Sequence, residues 1–500
     1  MDFRTVIGET HSEAATVAVQ DLRAHARGLA IAETASAVLY WDERTCLPVA
    51  GADWRAEQRA WLAGVVHGHA TSTELGAAIA RVEDEGDGTG EARVMRRDYD
   101  RALRLPESHV QDVAAATSEA RLAWQQARVA GDMATFQQSL SRVCELARVE
   151  AELYGYEREP YDALLQLWEP GATAAGVERL FDELVPAVTP MLSRARGERS
   201  GLFDRDFPAE GKRSFERAAL AKLGYDWDAG RVDATPRAFC LTAGPRDVRL
   251  TTRFHDASGF HSFHSSLHEA GHGIYAQSFN RLGVPATLAA APGLGMDESQ
   301  SRLYENLVGR NDAFWTWHFP TLVRTFPGVI GDDDYEAFRS DIRTGEQWHM
   351  RVGADEASYN LHVLLRFRIE RALVNGKMDV RELPDAWDAG MRELLDVAPP
   401  HDGEGCLQDV HWSIGQWGYF PTYMLGNVYG AQLLEAARRD VTDIDERLAR
   451  HGDAPGLNGW FDEHVYRHGR RYDSIDLVER ATGEPVSAAA LVRHLEGVFR

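Results

Sequence analysis

From about residue 10 to residue 230, apolar residues recur at three- and four-residue intervals, and a chain with that period buries its apolar side only by folding into long helices. The stretches SEAATVAVQDLRAHARGLAIAETASAVLYW and FQQSLSRVCELARVEAELYGYE carry the pattern. Pro and Gly interrupt it only at intervals, as in CLPVAGADW, EDEGDGTGEA and LWEPGATAAGVERLF, where helix connections are expected. No repeat period, low-complexity linker or step in composition marks an independent unit. The expectation is a mainly α fold in one domain over residues 1–500, with two helical lobes allowed by the length.

Charge narrows the range of partners. Acidic residues outnumber basic ones 77 to 54, a net charge of -23, which works against binding nucleic acid or an anionic membrane through a basic surface. The four cysteines, Cys46, Cys144, Cys240 and Cys406, lack the CxxC spacing of a zinc ribbon or redox motif and read as reduced and mostly packed. The opening MDFRTVIGETHSEAATVAVQD is charged from its second residue, and no later run approaches ~18 uninterrupted apolar residues. A cytoplasmic protein is expected.

The helical pattern breaks at GPRDVRLTTRFHD, residues 244–256, where β-branched residues between a Gly-Pro and a Gly suggest a short strand or hairpin. It is either a surface hairpin or an edge strand beside a cleft, able to take a peptide backbone as an added strand. HEAGH follows at 268–272. Two histidines four residues apart on a helix project from one face and suit one tetrahedral zinc, and the glutamate between them reaches a water in the open fourth position. Phe263, Leu267, Ala270 and Ile274 supply the same helix with a buried back. A catalytic zinc needs a third protein ligand. GMDESQSRLYENLVGR offers two, on a helix expected to begin near Asp297: Glu298 in its first turn and Glu305 two turns on, one a ligand and the other a partner holding a histidine ring. Spacing does not choose between them. His261 and His264 are read as polar residues packed against a helix start.

Taken together, these strings resemble the M32 metallocarboxypeptidases, the thermostable carboxypeptidase Taq type. The resemblance runs through YWDERTCLP, DVRLTTR, HEAGHGIY, ESQSRLYEN, MRVGADEASYNLH, GCLQDVHW, GYFPTYMLGN, YRHGRRY and ATGEP, in order over nearly the whole chain. It implies a large helical zincin-like fold with a deep cleft and a small β element beside the metal helix, and a homodimer. It also implies a divalent metal, Zn2+ or in some cases Co2+, and release of single residues from peptide C-termini with broad specificity, proline near the scissile bond being disfavoured. By resemblance, Glu298 is the third ligand beside His268 and His272. Three positions depart from the family pattern: Arg237 stands for a usual histidine, Asp297 for another, and Gly353 for a usual glutamate.

The expected chemistry has zinc polarising the scissile carbonyl while Glu269 takes a proton from water and returns it to the leaving amine. By resemblance, His411 and Tyr423 are placed to steady the oxyanion, against the alternative that both only pack in the core. A free C-terminal carboxylate calls for a guanidinium fork. Arg351 is the first candidate, Arg249 the second, and Arg237 either contacts the carboxylate or blocks part of the pocket; ion pairing is the structural alternative for Arg351 and Arg249. An oligopeptidase cutting internal bonds on the same fold, and a non-catalytic peptide-binding homologue, are the competing readings.

Overall fold

The computed structural model describes residues 13–197, 199–236, 238–253, 260, 262–345 and 348–499. Helices dominate, as the periodicity requires, and one continuous cluster of buried apolar side chains runs from Ala116 to Phe499. A second, smaller cluster joins the long helix Glu13–Thr45 to the helices Thr73–Glu85 and Glu91–Arg104 through Leu22, Ala26, Ile79, Val82 and Met95. The seam between the two is polar: Arg23 forks onto the fully buried Glu91, which the Thr287 hydroxyl also reaches, and Arg97 pairs with Asp473 at 2.9 Å.

Three short strands interrupt the helices. Strands β1 (Gly230–Ala234), β2 (Phe239–Gly244) and β3 (Asp247–Thr252) form a sheet of order β1-β3-β2, with β1 parallel and β2 antiparallel to β3. The expected hairpin is therefore present, but its placement is corrected. DVRLTT is the central strand, paired on both sides, and cannot accept a peptide as an edge. Of the two edges, β2 stands beside the glutamate of HEAGH: the charges of Glu269 and Asp297 reach the Cys240 thiol, which burial first of all pushes upward.

The HEAGH helix, Ser262–Arg281, buries Phe263, Leu267, Ala270 and Ile274 in the core, as its stripe predicts. Packed across it is the helix Leu294–Arg302, which starts a turn before the expected Asp297. The reason is distant in sequence: the buried Glu169 accepts the Gly295 N–H at 2.6 Å and so caps the helix from outside. The chain then continues as a π-helical turn, Leu303–Val308, rather than as regular α-helix.

Glycines set how closely these helices approach. A Cβ at Gly271 would run into the Gln300 carbonyl and stand 2.7 Å from the Ser301 Cα. On the opposite side, the helix Pro421–Asp440 meets Leu294–Arg302 through Gly426, where a Cβ would lie 2.7 Å from Glu298 Cγ, and Gly430, where it would lie 3.0 Å from the Ser299 carbonyl. Gly271→Ala is accordingly expected to destabilise the fold by about 1–3 kcal/mol, the ordinary cost of overpacking, and to loosen bound metal. Gly459→Ala, in open space on the exposed side of the helix Pro455–His464, should instead be neutral or gain up to about 1 kcal/mol. Thermal melts of both, with metal content after dialysis, check the contrast; a Gly271→Ala protein melting with its parent would show that the contact is slack.

Candidate metal centre and substrate cleft

The one-turn spacing of His268 and His272 brings their rings to 5.1 Å between centroids and nearly perpendicular, at 80°. Each Nε2 stands 3.8 Å from Glu298 Oε2, and the three donor atoms lie within 4.8 Å of one another. Ligands at about 2 Å from a tetrahedral ion stand roughly 3.3 Å apart, so a small inward movement closes the set around a divalent metal. Among the described residues this is the only group of His, Cys, Asp and Glu with such spacing.

Both imidazoles are turned by carboxylates from behind. Glu305 Oε2 lies 2.8 Å from His268 Nδ1, and Asp297 Oδ2 lies 3.1 Å from His272 Nδ1, within ion-pair reach although off line for a hydrogen bond. These contacts turn each Nδ1 toward a carboxylate and each Nε2 toward the ligand space, where a metal that displaces the Nε2 proton finds its lone pair. Glu305 thus fills the ring-holding role and Glu298 faces the ligand space. Burial opposes charge on His272, but Asp297, Glu269 and Glu298 outweigh it and carry the imidazole up to about 10; His268 is raised by Glu298 and Glu305 against the same burial. Arg302 fixes both acids, donating from Nε to Glu298 Oε1 at 2.8 Å and from Nη1 to Glu305 Oε2 at 3.1 Å. Glu298 Oε2 is thereby left toward the histidines. Glu269 is 7% exposed, and burial pushes its carboxyl up against the pull of His268 and His272.

A second polar cluster forms where GCLQDVHW meets MRVGAD. Gln408 accepts the Arg351 backbone N–H at 2.8 Å, and Asp409 takes the Arg351 Nη2 at 2.7 Å and the Arg366 Nε at 2.6 Å. Arg351 is 6% exposed, its guanidinium 4.8 Å from the centroid of the Tyr423 ring. Two cations draw the Asp409 carboxyl far below its ordinary range despite burial. His411 is set by its neighbour Trp412, whose indole N–H donates to the buried Glu370 at 2.8 Å, and its Nε2 lies 3.3 Å from the Tyr423 hydroxyl. Tyr423 is one helical turn before Gly426, the residue in contact with Glu298.

Not every expected residue joins these clusters. Arg249, on β3, spends Nε and Nη2 on Asp247 at 2.8 and 2.6 Å and lies over the Trp41 ring at 4.4 Å, so the ion-pair alternative describes it. Arg237 and His261 lie outside the described residues. His264 is buried and stacked on Phe203, as a packed polar residue would be. Gly353 closes the 3-10 turn that begins with Arg351. Sequence reasoning passed over Arg302, Tyr359, Arg366 and Asp409. Arg302 carried a signal, standing four residues after Glu298 on a helix; the others meet the site only through folding.

Known proteins share this architecture. The sequence matches the family model for the carboxypeptidase Taq (M32) metallopeptidases over residues 21–499. It is 36% identical over 502 residues to Thermostable carboxypeptidase 1 of Thermus thermophilus, covering 96% of this chain and 98% of that one. With Carboxypeptidase 1 of Bacillus subtilis it shares 33% identity over 474 residues, covering 93% and 94%. The crystal structure of the M32 carboxypeptidase from Deinococcus radiodurans R1 superposes with a TM-score of 0.93 at 35% identity, over 97% of this chain and 99% of that one. Sequence, fold and the convergence of His268, His272 and Glu298 agree, and this chain belongs to the M32 family of metallocarboxypeptidases.

Proposed function

We propose that the chain removes single residues, with broad specificity, from the C-termini of peptides that end in a free carboxylate, using a Zn2+ ion held by His268, His272 and Glu298. The carrying observation is the convergence of two Nε2 atoms and one carboxylate oxygen beside a buried glutamate. Two imidazoles and a carboxylate are an established donor set for catalytic zinc, and Co2+ suits it too. A divalent metal bound there supplies Lewis acidity, polarising the scissile carbonyl and making water more acidic. Glu269 then accepts the proton of the attacking water and delivers it to the leaving nitrogen; a carboxyl raised by burial is suited to holding a proton between those steps. The His411 and Tyr423 side chains steady the oxyanion as donors.

Arg351 receives the terminal carboxylate in this reading. A guanidinium has five N–H donors; Asp409 and Tyr359 engage Nε, Nη2 and Nη1, which leaves one hydrogen on each terminal nitrogen for a substrate. Arg249, already paired, ranks behind it, and Arg237 is kept as a further contact of the carboxylate. Nothing in the site favours cutting internal bonds.

The chain works as one domain, in a cytoplasm that keeps its four free cysteines reduced; among the described residues no helix is long and apolar enough to cross a membrane. It acts as a homodimer, and the helix Ala52–Ala70 is the face proposed for a second copy. That helix buries no residue, and Trp54 and Trp61, two turns apart, are 67% and 72% exposed. The two indoles leave on the order of 300 Å² of apolar surface, about the size at which a monomer's largest patch becomes a contact site. Antiparallel pairing about a two-fold axis sets each Trp54 against the partner's Trp61.

Three measurements test these proposals. Chelation should abolish hydrolysis and Zn2+ restore it, while Glu269→Gln keeps its metal and loses about 10²–10⁴-fold in kcat; an active Glu269→Gln protein would remove the proposed base. Two charge-assisted hydrogen bonds at about 1.5 kcal/mol each amount to roughly a hundredfold, so free-acid peptides should beat their amides by that factor in kcat/KM and Arg351→Gln should lose most of it. Equal rates on acid and amide in the parent would dispose of the carboxypeptidase reading. Light scattering should find a dimer that Trp54→Glu/Trp61→Glu converts to a folded monomer; an unchanged dimer would place the interface elsewhere.

A further inference from the structure

Tyr359 stands between two buried cations, Arg302 and Arg351. Its phenolic oxygen accepts from Arg302 Nη2 at 2.6 Å and from Arg351 Nη1 at 3.0 Å. The Arg302 guanidinium also covers its ring, 4.4 Å from the centroid. The position is firm: Tyr359 is buried in the first turn of the helix Glu356–Val374, whose start Asp355 caps through the Ala357 and Ser358 N–H groups at 2.9 and 3.0 Å. One oxygen thus joins Arg302, which holds Glu298 Oε1, to Arg351, the residue assigned to the substrate carboxylate.

Two like charges sharing one acceptor compete for it. A carboxylate arriving at Arg351 neutralises one of them, and the phenolic oxygen then attracts Arg302 more strongly. Arg302 drawn toward Tyr359 withdraws less charge from Glu298 Oε1, and the carboxylate has more to offer through Oε2. We infer that Tyr359 is a positioning residue that couples the two halves of the site, so that a bound C-terminal carboxylate tightens the hold of His268, His272 and Glu298 on their metal, and bound metal tightens the grip on the carboxylate by the same factor. This rests on the reading of Arg351 given above.

The coupling is measured by metal binding rather than turnover. In a Glu269→Gln background, which leaves the peptide intact, the Zn2+ Kd is determined by chelator competition with a saturating tripeptide free acid and with its amide. The acid should tighten Zn2+ about tenfold more than the amide does, within the usual range of such couplings. Adding Tyr359→Phe should shrink the acid-to-amide difference to less than about twofold while peptide affinity still favours the acid. A full difference surviving in Tyr359→Phe overturns the inference and leaves the Arg351 reading standing. An acid preference surviving in Arg351→Gln overturns that reading instead. Should Tyr359→Phe fail to fold, Arg302→Lys, which keeps the cation but loses the fork, must abolish the same acid-to-amide difference, and retention of it there counts against the coupling.

Discussion

The approach of the HEAGH helix to the helix Leu294–Arg302 at Gly271 governs the rest of this structure. The histidines are fixed to one helix and Glu298 to the other, so the distance between the two axes sets whether three donor atoms converge. Any side chain at Gly271 would meet the Gln300 carbonyl and the Ser301 Cα. The same constraint acts from behind, where Gly426 and Gly430 let the helix Pro421–Asp440 press the Glu298 helix forward. Each glycine inside a helix costs about 0.5–1 kcal/mol relative to alanine, a loss offset by the packing of a helix bounded on two sides. The candidate metal centre is in this sense a product of backbone packing, and His268, His272 and Glu298 complete what three glycines begin.

That packing forces an electrostatic solution. Arg302, Arg351 and Arg366 are buried within a few residues' reach of Glu298, Glu305 and Asp409. Removing charges from water is expensive, and breaking one buried pair commonly costs about 3–5 kcal/mol because its partner is left uncompensated. The network therefore behaves as a unit. It orients Glu298 through Arg302, holds His268 through Glu305, and presents Arg351 with only two hydrogens unspent.

The local parts of this arrangement were legible in the sequence and the distant parts were not. A period of 3.6 gave the helices and the buried back of HEAGH, and a one-turn spacing gave the histidine pair. Glu298 and Glu305 could not be separated by spacing because both reach His268, one at Nε2 and the other at Nδ1. The helix start was missed because its cap, Glu169, is 126 residues from Gly295. DVRLTT forms the expected hairpin with β2 but is not an edge of the sheet, because β1, which nothing adjacent to it announces, joins it in parallel from upstream. Arg351 was visible as an arginine, but Asp409, which decides how many of its donors are free, lies 58 residues away. Resemblance bridged such gaps for whole motifs, and the pairings inside them required the fold.

Asp297 shows how a carboxylate can hold the second histidine of the pair. An imidazole at that position could accept a hydrogen from His272 Nδ1 in only one tautomer, and not at all once protonated. A carboxylate needs no particular tautomer to attract the ring, and Asp297 Oδ2, at ion-pair distance of 3.1 Å from His272 Nδ1, keeps Nε2 turned toward Glu298. Its side chain is 34% exposed against 15% for Glu305, so it retains part of its hydration and needs no arginine of the kind Arg302 provides for Glu305. The exchange adds a negative charge beside a centre already holding Glu269, Glu298 and Glu305. More negative charge favours retention of a dication and reduces the positive field available to a developing oxyanion. In the role proposed for them, His411 and Tyr423 then carry a larger share of that stabilisation than they would beside a neutral residue at position 297.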